Sequence, residues 1–315
     1  MKKLLAVFLI LSLSLCLFAE GLQEVLDRDE ESIDLKSLSI ASPSGAPGLA
    51  LASLAVENPE QYRYLNAETI TAEFANATAD FIIAPLNAGA KLYKMGKSTY
   101  KLAAVVAWGN LFFASQRKDF SLEDINDASI TLFGENTINS SIALFVLREN
   151  GIVPKNVSYL AGAANTQQLM LSDPEAIVLT AEPALTAARN RKPDIKGYSV
   201  NELYRNATGN EGFAQAGLFV KAELAEKSPR TVDAYLEKVA SSCQLCRNDI
   251  DLVAKTAAKL EILPNEKIAK SALPNCTIYY MNAKDARPQI ERTAEVDMKQ
   301  FGGALPEEDF YYESR

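Results

Sequence analysis

The stretch Asp80-Phe81-Ile82-Ile83-Ala84-Pro85-Leu86-Asn87-Ala88-Gly89 runs from an apolar strand into a turn of Pro, Asn and Gly, and a short helix follows to Tyr93. A strand with no polar alternation that feeds a turn and then a helix is the unit of a sheet covered on both faces. The same grammar recurs on either side. Upstream, residues 38–41 read as a strand, Ser42-Pro43-Ser44-Gly45-Ala46 as its turn, and Pro47 as the first helical residue. Downstream, residues 101–108 form a nearly all-apolar strand. Residues 129–133 lead into the turn Gly134-Glu135-Asn136-Thr137 and a helix to Asn150, closed by Gly151. Residues 177–180 lead into Ala181-Glu182-Pro183 and an Ala-rich helix to Asn190. Residues 213–220 form a further strand, after which Ser228 as N-cap and Pro229 as first residue open a long helix. The reading is α/β with mostly parallel sheets.

The chain has 315 residues, 48% of them apolar and 23% charged, which excludes collagen-like, coiled-coil and disordered classes. That length suits two domains with cores of their own. It contains no histidine, which removes Ser-His-Asp and Cys-His catalysis, histidine-bound zinc and the usual general base near neutral pH. No cofactor and no metal are expected, and a binding role without chemistry of its own is the leading expectation.

The first 19 residues read as a targeting segment: Lys2 and Lys3, an apolar run of about 15 residues, then Ala19 before the acidic Glu20. The run is shorter than the roughly 20 residues that span a bilayer. The remaining chain is expected to be exported, soluble and monomeric. Losing Lys2 and Lys3 takes the net charge from −8 to −10. Such an acidic chain is a poor partner for nucleic acid. Residues 20–34 carry seven acids against one Arg and suit a solvated tether, so anchoring through a lipidated Cys16 stands as an alternative to plain secretion.

In parallel sheets, ligands gather at the carboxyl ends of the strands. Turns rich in Ser, Gly, Asn, Pro or Thr stand at five such ends: 42–46, 85–89, 109–110, 134–137 and 181–183. Spread over two α/β units, they predict a cleft lined from both sides. The order of these pieces, with Trp108-Gly109-Asn110 and Ser121-Leu122-Glu123-Asp124-Ile125, resembles the substrate-binding proteins of bacterial ABC importers. The narrower resemblance is to the group that binds sulfonates, taurine, nitrate and thiamine precursors, the SsuA/THI5-like (NMT1-like) domain.

That resemblance implies a type II periplasmic-binding-protein fold, two lobes joined by two crossovers. Residues 36–113 and 214–315 would form lobe 1, residues 114–213 lobe 2, and residues 20–35 the linker. The resemblance further implies that Ser42, Ser44, Gly45, Ala46, Asn87, Gly109 and Asn110 face the cleft from lobe 1, and Glu135, Asn136, Thr137 and Glu182 from lobe 2. Trp108, the sole tryptophan, is a candidate for stacking on a planar ring. Helix N-termini at Gly45-Ala46 and Asn136-Thr137 suit carbonyl oxygens or anions. The acids Glu135 and Glu182, with no Arg or Lys in these turns, tilt the ligand toward a neutral or cationic molecule, such as a planar heterocycle. Glu182 is expected to contact the ligand or orient a group that does; the alternative is that it caps its own helix.

Cys243-Gln244-Leu245-Cys246 matches a redox or metal spacing, yet both thiols fall on an apolar stripe with Val232, Leu236, Val239, Ile250 and Val253. Core packing is the expectation, with a disulfide from Cys276 to Cys243 or Cys246 left open. The C-terminal acids beside Phe310-Tyr311-Tyr312 read as a solvated tail whose aromatics dock on lobe 1. The function expected is capture of a small organic solute for a membrane permease. The alternatives are a ligand-presenting sensory module and a THI5-like pyrimidine synthase; the synthases of that group use a histidine that this chain lacks.

Overall fold

The computed structural model describes residues 33–67 and 69–314. The targeting segment, Cys16 and most of the acidic tether lie outside the described residues. Among the described residues, eleven strands form two sheets. The first contains β1 (Ile40–Pro43), β2 (Tyr62–Leu65), β3 (Phe81–Pro85), β4 (Tyr100–Ala107), β10 (Ala216–Lys221) and β11 (Ile278–Asn282), in the order β11-β4-β10-β3-β1-β2. The second contains β5 (Leu111–Ser115), β6 (Ser129–Phe133), β7 (Asn156–Leu160), β8 (Ile177–Ala181) and β9 (Lys196–Ser199), in the order β7-β6-β8-β5-β9.

Most strands in each sheet share one direction, as the βαβ pattern requires. The exceptions in the middle of the sheets mark the crossings between lobes. β5, the first strand after the chain leaves lobe 1, is antiparallel to both its neighbours, β8 and β9. β10, the first strand after it returns, is antiparallel to both β3 and β4. The first crossover is therefore Trp108-Gly109-Asn110, and Leu111–Ser115 belongs to the second sheet, so the division falls before 113. The return lies just before Ala216.

Strand polarity builds the core of lobe 1. Ile82, Ala84 and Phe219 face one apolar cluster, while Phe81, Ile83, Leu218 and Val220 face another across the sheet. The second cluster is closed by the helix Pro229–Asn248, whose buried stripe includes Val232, Leu236, Val239, Cys243 and Cys246. The stripe does not continue as one helix. Asp249 breaks it and caps the next helix, Ile250–Lys259, its Oδ1 accepting from Leu252 N at 3.1 Å. Ser228 does occupy the N-cap position, but its hydroxyl is buried and bonds nothing in the helix. The C-terminal aromatics dock on lobe 1: Phe310 is buried, Tyr312 N donates to Leu102 O at 2.8 Å, and the Tyr312 hydroxyl reaches Asp233.

Cys243, Cys246 and Cys276 are free and buried. The disulfide left open by sequence is not formed. Burial pushes all three thiols well above the usual thiol range, Cys246 to about 12, so each remains a protonated apolar side chain. Cys246 Sγ lies 3.4 Å from Leu49 O and Cys276 Sγ 3.2 Å from Ala272 O, so each rests against a nearby carbonyl.

Candidate ligand cleft between the lobes

A cavity of about 470 Å³ lies where the carboxyl ends of β1, β3, β6 and β8 converge from the two sheets. It is within the range of roughly 300–1,000 Å³ typical of small-molecule sites. Grooves of similar or larger volume exist elsewhere, one between the outer helices of lobe 1 and one on the far side of lobe 2. Neither is at a carboxyl edge, and neither is lined by both lobes. A further groove of about 600 Å³ is lined by both, Asn201 and Arg205 facing Arg247 and Tyr279, but holds none of the strand-end turns.

Of the residues expected in the cleft, Ser44, Gly45, Ala46, Asn87, Asn110, Thr137 and Glu182 line the cavity. Ser42, Trp108, Gly109, Glu135 and Asn136 do not. Ser42 lies within β1 and is buried. Glu135 and Asn136 sit at the exposed tip of their turn, and the chain returns toward the cavity only at Thr137. Trp108 is fully buried, stacked on Tyr279 with centroids 4.7 Å apart and planes within 3°, and its Nε1 donates to Tyr279 O at 3.1 Å. Its role is packing at the crossover. Gly109 holds φ +99°, and a Cβ there would lie 2.6 Å from Phe213 and 2.8 Å from Asn201. Only glycine fits that point of the hinge.

The polar side chains that sequence reading missed are Asn139 and Gln215. Asn139 is the second residue of the helix Ile138–Glu149, one step beyond the turn. Gln215 falls inside the strand expected at 213–220 but directly precedes β10, which starts at Ala216. Gln215 Nε2 donates to Asn110 Oδ1 at 3.0 Å and to Asn139 Oδ1 at 3.3 Å. Asn110 Nδ2 in turn donates to Glu182 O at 3.0 Å. One amide chain thus ties the two crossovers to the cavity wall. The helix phase carried a signal for Asn139, because a first-turn side chain can reach across the mouth of its helix.

Glu182 lies in a dense set of donors. Its Oε2 accepts from Thr186 N at 3.1 Å, and its Oε1 accepts from Thr186 Oγ1 at 3.0 Å and from Asn275 Nδ2 at 3.2 Å. The carboxylate therefore caps the helix Ala184–Arg191 and reaches lobe 1 through Asn275. Burial pushes the carboxyl above the usual carboxylate range, and the hydrogen bonds from Thr186 and Asn275 offset that only in part. Thr137 is similarly engaged: its Oγ1 donates to Gly134 O at 2.6 Å and accepts from Ser140 N.

Four helices begin on the cavity wall: Leu86–Lys94, Ile138–Glu149, Ala163–Ser172 and Ala184–Arg191. Each presents the positive end of its dipole and first-turn N–H groups. Among the described residues, no Arg or Lys lines the cavity.

Comparison by sequence matches the chain to no family model and to no curated protein. Comparison of structures gives clear likenesses. An ABC transporter structure from Parabacteroides distasonis has a TM-score of 0.76 at 20% identity, over 88% of this chain and 99% of that one. The periplasmic aliphatic sulphonate-binding protein SsuA of Escherichia coli has a TM-score of 0.68 at 15% identity, over 88% and 92%. The ligand-binding component of an ABC-type import system from Staphylococcus aureus has a TM-score of 0.67 at 10% identity, over 88% and 96%. At these identities the likeness speaks for architecture, and it is the architecture that the family resemblance implies. The chain has the two-lobed α/β periplasmic-binding-protein fold found in substrate-binding proteins of ABC importers.

Proposed function

We propose that the chain is the extracytoplasmic solute-binding component of an ABC importer. It captures a small organic solute between its lobes and delivers it to a membrane permease, with no chemistry of its own. The observation that carries this reading is the cavity of about 470 Å³ lined by both lobes at their strand ends. A solute held there touches both halves at once, so its binding energy favours the closed arrangement, and release requires the hinge to open. Two narrow crossovers suit that motion, with Gly109 in one and Gly209 at the start of the other, both at positive φ.

The reading is tested by native mass spectrometry of the purified protein, followed by titration with the released compound. A one-to-one complex and a rise in melting temperature with ligand concentration are expected. If no small molecule co-purifies, and none from a metabolite panel shifts the melting temperature, solute capture is wrong.

A further inference from the structure

Resting on the solute-binding reading, we infer that the solute is uncharged and carries amide-type donors and acceptors, read by Asn87 from lobe 1 and Asn139 from lobe 2.

The charges around the cavity oppose an ion of either sign. Among the described residues, an anion would find no Arg or Lys in the lining and would face one formal charge there, Glu182. A cation would face four helix N-termini. Nor does a described residue offer it a free carboxylate: both Glu182 oxygens already accept hydrogen bonds from Thr186 and Asn275, and the residue is 2% exposed. An ion would give up its hydration without a counter-charge in return.

The groups left without protein partners are neutral. The Asn87 side chain makes no hydrogen bond to any described residue, and its Oδ1 is buried. A buried polar atom left unpaired is costly, and a bound solute is the partner that the cavity can supply. Asn139 is complementary. Its Oδ1 is held by Gln215, which fixes the amide orientation, and its Nδ2 donates to no described residue. Ser44 Oγ and Gln215 Oε1 are also unengaged among the described residues. The rest of the wall is largely apolar, including Ile70, Leu111, Phe133 and Ile138. Such a wall suits a compact apolar body with N–H and C=O groups at opposite ends, its carbonyls toward the helix N-termini.

Calorimetric titration with three probe sets tests this: nicotinamide, uracil and cyclo-glycylglycine as uncharged amides, ethanesulfonate and nitrate as anions, and choline as a cation. Binding is expected only within the uncharged set. Asn139→Asp keeps the acceptor for Gln215 and removes the Nδ2 donor, so affinity should fall at least tenfold while the melting temperature of the free protein changes little. Asn87→Leu should also weaken binding tenfold or more, and should leave the free protein at least as stable because an unpaired buried oxygen is gone. Tighter binding of ethanesulfonate, nitrate or choline than of any uncharged probe overturns the inference and leaves solute capture standing. So does unchanged affinity in both variants. Silence from all three sets, with no co-purified compound, overturns solute capture itself.

Discussion

Glu182 of the second lobe and Asn275 of the first meet across the interlobe boundary, with Asn275 Nδ2 3.2 Å from Glu182 Oε1. The same carboxylate caps the helix Ala184–Arg191 through Thr186 N, so one buried acid couples a helix start to the neighbouring lobe. Burial is the dominant influence on it and raises its pKa above the ordinary 4.5. Just above pH 4.5 the folded chain therefore keeps a proton that the unfolded chain has shed. The stability linked to that proton is complete below 4.5 and is lost as pH rises through the folded value. Glu182→Gln has no proton to lose. The unfolding free energy of wild type relative to Glu182→Gln should fall as pH rises from 4.5, then level off. Urea denaturation of both proteins at a series of pH values measures the difference, and a difference that rises with pH contradicts the assignment.

Glu73 titrates in the opposite sense. Burial pushes its carboxyl up, but hydrogen bonds from Arg63 and Thr78, with the Arg63 charge, outweigh that and hold it below the usual range. Arg63 Nη2 lies 2.8 Å from Glu73 Oε2, and Thr78 Oγ1 lies 2.7 Å from the same oxygen. This contribution is present above pH 4.5 and is lost as pH falls through the depressed value. Wild type should therefore lose stability relative to Glu73→Gln on acidification below 4.5. The same denaturation series reads it, and a flat difference across that range counts against the pairing.

How far the sequence reveals these features depends on whether their cause is local. The strands Phe81–Pro85 and Ser129–Phe133, and the turns after them, are legible because apolar runs and Gly or Pro act within a few residues. The edge strands Tyr62–Leu65 and Lys196–Ser199 are half exposed and carry no comparable run. Leu111–Ser115 is fully buried and apolar, but it directly follows the Trp108-Gly109-Asn110 turn, which hides the change of lobe. The site follows the same division. Asn87 and Thr137 stand in strand-end turns and are legible there. Gln215 and Asn139 meet only because the chain crosses between lobes and returns, a distance of 76 residues in sequence. Trp108 misleads for a related reason: its stacking partner Tyr279 is supplied by β11, far along the chain.

Trp108 is expected to govern stability and not affinity. Trp108→Phe removes the Nε1 bond to Tyr279 O and part of the stacked surface, at a cost of about 1–3 kcal/mol. Ligand affinity should stay within about twofold, a shift of about 0.4 kcal/mol. Denaturation and titration of the same variant separate the effects, and a tenfold loss of affinity at unchanged stability would return Trp108 to the binding site.

Cys243, Cys246 and Cys276 should resist thiol reagents in the folded protein. Attack requires thiolate, and burial holds all three in the protonated form far above neutral pH. At pH 8 a chromogenic disulfide reagent should label none of them natively and all three in guanidinium chloride. A reductant should leave the melting temperature unchanged, because no bond among them is available to break. A lower melting temperature under reduction would reveal a disulfide.

Gly109 and Gly209 distinguish contact from backbone strain at the two crossovers. Both hold positive φ, +99° and +77°, so a Cβ is unfavourable at either on conformational grounds alone. Their surroundings differ. A Cβ at Gly209 meets nothing within 4 Å, whereas at Gly109 it would lie 2.6 Å from the Phe213 ring and 2.8 Å from Asn201 Oδ1. Phe213 is fully buried in the apolar cluster that spans both lobes, so it has no free space to move into. Gly209→Ala should then cost only the left-handed penalty of about 1–2 kcal/mol. Gly109→Ala should add overpacking of roughly 1–3 kcal/mol. It should also weaken solute affinity, because displacing Phe213 and Asn201 shifts the crossover that presents Asn110 and Gln215 to the cavity. Equal destabilisation by the two substitutions, with affinity unchanged in both, would show that the first crossover is as loosely packed as the second and that the contacts around Gly109 do not set the geometry of the cleft.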